Sequence, residues 1–122
     1  MYRSLILLLA SSLAYGHEMT PAYPKLEPAH VQGVYKASFE MFNRRSDVQF
    51  YEIGVFDDNW NSVPFVSSYN IIKLDYLGKV RFDVYVRDED VKKARYVCSM
   101  SKLRSEPSKA TVVSSRICSK FK

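Results

Sequence analysis

Two histidines, four glycines and two cysteines are all that the 122-residue chain contains of these types. Each shortage excludes a class of chemistry. With two histidines, His17 and His30, both in the proline-rich stretch 17–30, no Ser/His/Asp or Cys/His catalytic set can be assembled. Four scattered glycines form no glycine-rich phosphate loop. Beyond the first residues, no apolar run approaches the about 20 residues that a membrane helix needs. Internal repeats, low-complexity tracts and linker composition are also missing. A hydrophobic content of 47% with 14% aromatics excludes disorder. These properties point to a non-enzymatic globular domain with no cofactor.

The N-terminus reads as a secretory leader over residues 1–16. Arg3 supplies positive charge, Leu5–Leu9 and Ala10-Ser11-Ser12-Leu13 a short apolar stretch, and Ala14-Tyr15-Gly16 small residues for cleavage before His17. Cleavage after Ala14 is the alternative. The expected location is the periplasm or the outside of the cell. Residues 17–30 carry Pro21, Pro24 and Pro28 and are expected as an extended lead-in. Residues 31–122 form one domain.

From residue 33 the hydrophobic pattern has period two. Tyr35, Ala37, Phe39 and Met41 alternate with Lys36, Ser38 and Glu40. Tyr51, Ile53 and Val55 share a face, as do Val80, Phe82, Val84 and Val86. Apolar runs at 63–66 and 71–74, and segments 94–103 and 110–119, complete about seven short strands. Asp57-Asp58-Asn59-Trp60-Asn61 reads as a turn. Asp88–Lys93 reads as one helical turn capped by Asp88. The expected fold is an all-β, immunoglobulin-like antiparallel sandwich.

Cys98 and Cys118 lie at equal distances either side of Ser108, within the turn-like run Arg104–Lys109. A hairpin folded there sets Cys98 opposite Cys118, Met100 opposite Arg116 and Leu103 opposite Val113. In an oxidising compartment the two cysteines form a disulfide. The face is left open. Cys98 shares its side with Ala94, Tyr96 and Met100, whereas Val113, Ile117 and Phe121 lie on the side that Cys118 does not. Either a bulge resets the second strand or the disulfide occupies the less buried face.

Ala94-Arg95-Tyr96-Val97-Cys98 resembles the Ala-x-Tyr-x-Cys signature of the sixth immunoglobulin strand, which implies a tyrosine corner at Tyr96. A second-strand cysteine is missing, so the antibody-type bridge is not implied. The hairpin cysteines are more similar to those in N-terminal domains of periplasmic pilus-assembly chaperones, some of which staple a long final hairpin. That likeness implies a protein that caps a partner by lending it a strand. The family's carboxylate-binding arginine has no counterpart before residue 44, although Arg116 or Lys102 could play a similar part. Phe50–Asp57, Pro64-Phe65 and Ser114–Lys120 also resemble short exported proteins of marine cyanophages, which implies a component of a phage particle as an alternative.

Charge is segregated along the chain. Residues 92–122 hold nine Lys/Arg against Glu106 alone, whereas residues 17–91 hold eight basic and twelve acidic residues. A basic hairpin on an acidic body favours an acidic protein partner, bound by strand addition, or another anionic surface. Nucleic acid is not expected outside the cytoplasm, and head-to-tail self-association is a further possibility. Lys102, Arg104, Lys109, Arg116 and Lys120 are the expected partner-binding residues. A copper site would need His17, as the first residue after cleavage, to meet His30. Asp57-Asp58 and Asp88-Glu89-Asp90 read as turn caps rather than calcium ligands.

Overall fold

The computed structural model describes residues 16–102 and 115–122. The expected leader (1–16) lies outside these residues except for Gly16, as do Arg104, Lys109 and the Leu103–Val113 pair. Nine strands and one short helix are present among the described residues. They are β1 (His17–Thr20), β2 (Glu27–Pro28), β3 (Val34–Asn43), β4 (Phe50–Phe56) and β5 (Val66–Ser67). Then follow β6 (Ile71–Lys73), β7 (Lys79–Arg87), α1 (Asp88–Val91), β8 (Tyr96–Lys102) and β9 (Arg116–Lys120).

Two antiparallel sheets face each other. Sheet A runs β1-β3-β7-β5, with β2 also on β3; sheet B runs β6-β4-β8-β9. The expected immunoglobulin-like sandwich is therefore observed. Period-two alternation delivers the core. Ala37, Phe39 and Met41 of β3 and Phe82, Val84 and Val86 of β7 pack against Tyr51, Ile53 and Val55 of β4 and Val97 of β8. The β3–β7 pair runs in unbroken register from Val34↔Arg87 to Phe42↔Lys79.

Two local expectations need correction. Asp88 does not cap α1: Arg87 occupies the N-cap position, with no side-chain cap bond, and Asp88 is the first helical residue. The run 63–66 is not a strand of its own, because only Val66 enters β5 while Val63 is buried in the core. Residues 17–30 are extended, and they are built into both sheets. β1 and β2 pair with β3. The intervening segment then crosses to sheet B, where the Lys120 and Lys122 amides donate to the carbonyls of Ala22 (2.9 Å) and Pro24 (3.1 Å). Ser119 Oγ donates to the Pro21 carbonyl at 2.7 Å. Proline fits here because these residues offer carbonyls and need no amide of their own.

Candidate functional site

Cys98 and Cys118 are directly opposite and bonded, with Cα atoms 4.1 Å apart. Met100 faces Arg116, as the symmetric hairpin required. The structure also settles the face. Val97, Ser99 and Ser101 of β8 and Ser119 of β9 point inward and are buried. Parity then puts Tyr96, Cys98, Met100 and Lys102, with Arg116, Cys118 and Lys120, on the outer face of sheet B. No bulge is needed. The disulfide staples the hairpin on the face turned away from sheet A, where Cys98 is fully buried and Cys118 half-buried, and three of the expected basic residues share that face.

The same face is tiled by large side chains. Gly54 lies opposite Cys98, and a Cβ at Gly54 would come within 2.9 Å of the Phe56 ring and 3.3 Å of Met100 Cε. Both side chains lean over that glycine beside the disulfide. Trp60 completes the surface from the turn after β4. Asp57 Oδ1 accepts from the Asn59 and Asn61 amides at 2.8 and 2.9 Å, which winds the chain tightly. Trp60 then sits at φ 63°, a left-handed position that costs a non-glycine residue about 1 kcal/mol or more. Its indole stacks on Tyr96 with centroids 4.4 Å apart and planes 12° from parallel. The Arg116 guanidinium lies 4.7 Å above the indole. Tyr96, expected as an immunoglobulin-type corner, supports one end of an Arg116–Trp60–Tyr96 stack with Trp60 in the middle. That stack joins β9, the β4 turn and β8.

The neighbouring cations differ from Arg116. Arg95 pairs with Asp58 at 3.2 Å and Lys102 with Glu52. Among the described residues Arg116 has no carboxylate partner, and Lys120 is exposed.

β9 is the edge of sheet B, and its backbone is partly open. Ser101 N donates to Ser115 O and Phe121 N to Arg95 O, so odd-numbered residues of β9 face β8. The even-numbered residues point to the edge. Lys120 is occupied by Ala22. The outward amides and carbonyls of Arg116 and Cys118 have no backbone partner among the described residues.

Beneath the hairpin lies a buried polar network that the sequence did not signal. His17, 2% exposed, places Nε2 2.8 Å from Ser99 Oγ and Nδ1 3.2 Å from Ser115 Oγ. Arg45 donates to the same Ser115 hydroxyl at 3.3 Å and to both carboxylate oxygens of Asp47. Asn43 Nδ2 donates to Val48 O and Leu74 O, and its Oδ1 accepts from Arg45 N and Tyr51 Oη. Burial pushes the Tyr51 hydroxyl up to about 12, so it remains a donor at ordinary pH. The charged Asp47 carboxylate is favoured by its Arg45 hydrogen bonds, which hold it below the usual carboxylate range.

The structure does not bring the two histidines together. His17 pairs with Asn43 at one end of β3, whereas the exposed His30 follows Pro28, which pairs with Tyr35 at the other end. The ten-residue strand between them spans roughly 30 Å. His17 is a core residue bonded to serines, not the tip of a free arm. The acidic clusters do not gather either, and no group of three metal-binding side chains occurs among the described residues.

No helix among the described residues is long and apolar enough to cross a membrane. No known family model matches the chain, and no curated protein is similar to it. Solved structures do match. The crystal structure of the Escherichia coli chaperone DraB superposes with a TM-score of 0.65 at 15% identity over 88% of this chain. A chain from the complex of the Salmonella enterica SafA pilin with the SafB chaperone superposes at 0.64 with 16% identity over 88%. This chain spans about half of each, 53% in both cases. Neither neighbour is a phage protein. The likeness to pilus-assembly chaperones is thus one of fold: this chain has the immunoglobulin-like sandwich seen in those chaperone structures.

Proposed function

We propose that this protein is an exported, non-enzymatic binding module of chaperone or adaptor type, working in the periplasm or outside the cell through its β8–β9 hairpin. The observation that carries the proposal is the stapled edge. Arg116 and Cys118 offer outward backbone groups on a strand whose partner, β8, is held to it covalently. Such an edge accepts a strand from another protein by main-chain hydrogen bonding. Arg116 and Lys120, without ion pairs among the described residues, stand beside it with the Glu52-paired Lys102 and favour an acidic partner. The neighbours are chaperones, one of them solved with a pilin, and this supports a protein partner.

The test is affinity capture of the full chain from periplasm, followed by amide exchange of the purified complex. The outward Arg116 and Cys118 amides exchange freely in the isolated protein and slow when a strand is added. A captured partner that leaves both amides fast, with K102E and K120E binding as the native chain does, removes the reading.

A further inference from the structure

We infer that the outer face of sheet B, centred on Trp60 and Arg116, is a docking surface for an acidic segment of a protein partner. The inference rests on the reading of this protein as a binding module, but not on strand addition at β9.

Arg95 and Lys102 are each tied to a carboxylate of this chain. Arg116 has none among the described residues, and its guanidinium carbon lies 4.7 Å from the centroid of the Trp60 indole, over the ring. The indole takes up part of the surface of the guanidinium, and none of its donors is engaged by a carboxylate among the described residues. A guanidinium resting on an aromatic ring and free of carboxylates is suited to receive a carboxylate in two parallel hydrogen bonds.

Beside this cation is apolar area. Trp60 keeps 45% of its surface exposed although it is stacked on Tyr96, and the same outer face carries Ile71, 56% exposed, at its far edge on β6. Tryptophan, tyrosine and arginine are the residues that dominate binding energy at protein interfaces. The backbone favours the same conclusion. Asn59 and Asn61 flank Trp60, and either side chain tolerates a left-handed position better than tryptophan does. The strained site is nevertheless given to the residue whose ring reaches the face. Charge selects the occupant. Arg116 and Lys120, without ion pairs among the described residues, stand on this face, whereas Glu52 and Asp58 are already neutralised by Lys102 and Arg95. A partner segment with a carboxylate next to an apolar side chain satisfies both halves of the site.

Trp60 is the chain's single tryptophan, so its emission reports directly on the surface. Short random peptides displayed on a carrier are selected against the immobilised, oxidised full chain. Recovered peptides are synthesised and titrated while Trp60 fluorescence is followed. We expect them to share an Asp or Glu beside an apolar residue and to alter Trp60 emission. They should bind R116Q at least about tenfold more weakly, the loss typical of a broken charge-assisted pair. K36Q, on the outer face of sheet A, should bind as the native chain does, and the circular dichroism and disulfide content of both variants establish that they fold. Failure to recover any peptide, recovery of peptides without acidic residues, or unchanged binding to R116Q overturns the inference. Amide exchange separates this result from the edge reading. Peptides that need Arg116 yet leave the Cys118 amide fast support the face and count against strand addition. Peptides that protect that amide but ignore R116Q do the reverse.

Discussion

His17 Nε2 lies 2.8 Å from Ser99 Oγ, joining the first strand of sheet A to the third strand of sheet B. The bond is buried, and the imidazole ring packs 4.5 Å from Tyr51. A histidine held in this way ties the stability of the sandwich to pH.

Burial is the main cause holding the His17 imidazole below its ordinary value of 6.5; the nearby Arg45 charge adds to it, and the Ser99 backbone contact opposes it. The unfolded chain binds a proton that the folded chain resists. The His17 contribution is therefore complete above pH 6.5 and is lost as pH falls through 6.5 toward the lower folded value. Thermal unfolding measured from about pH 7 to about pH 5 should show a falling Tm, and H17Q should flatten that slope while H30Q leaves it. Equal slopes in all three proteins would remove His17 as the cause. Asp47 acts in a separate window. Its depressed value means that its contribution disappears only as pH falls below the usual carboxylate value of 3.8.

The Cys98–Cys118 bond closes a loop with a sequence separation of 20 residues. Restricting the unfolded chain by such a loop stabilises the fold by about 3 kcal/mol. Because the bond lies on the outer face, serine at both positions opens no cavity between the sheets. Urea unfolding of the C98S/C118S pair should show a loss near that figure, and reductant should have the same effect on the native chain. Full alkylation of both cysteines in protein recovered without reductant would contradict the staple.

Asn43 is fully buried, and its side chain makes four hydrogen bonds to four different residues. Removing it orphans donors and acceptors that water cannot reach, at about 1–3 kcal/mol for each group left unsatisfied. N43A is expected to lose at least about 3 kcal/mol in chemical denaturation. Y51F, which deletes one donor, should lose about 1 kcal/mol. Similar losses in the two variants would show that the network does not converge on Asn43.

At Trp60 the backbone and the side chain oppose each other. W60A and W60G both remove the indole from between Arg116 and Tyr96, so their difference reports the backbone alone. With φ at 63°, glycine should be the more stable replacement by about 1 kcal/mol. Equal or reversed stabilities would mean that the turn relaxes out of the left-handed conformation.

The elements that were legible in the sequence are those in which the pattern is local. Ala37, Phe39 and Met41, or Phe82, Val84 and Val86, announce an inward face because alternate residues of any strand share a side. The hairpin register was legible for a similar reason, since pairing about a turn is arithmetic: once Cys98 meets Cys118, Met100 must meet Arg116. The candidate surface was only partly legible. Lys102, Arg116 and Lys120 were identified by charge, but Trp60 read only as part of a turn, because nothing in the spacing joins it to Tyr96 and Arg116. His17 read as the end of an arm, since its partners Ser99 and Ser115 belong to distant strands.

Sequence by itself therefore determined the long strands, their alternation and the cysteine register, all properties of a strand and its nearest neighbour, but not the short strands β1 and β2. Tertiary structure alone decided which side of the hairpin is the inside. A strand has two equivalent faces until a second sheet covers one of them. Here β3 and β7 cover the side bearing Val97 and Ser99, leaving the disulfide, Arg116 and the Trp60 stack turned outward. Burial of His17 was decided in the same way, by the approach of β1 to the one inner surface where two serines await its ring nitrogens.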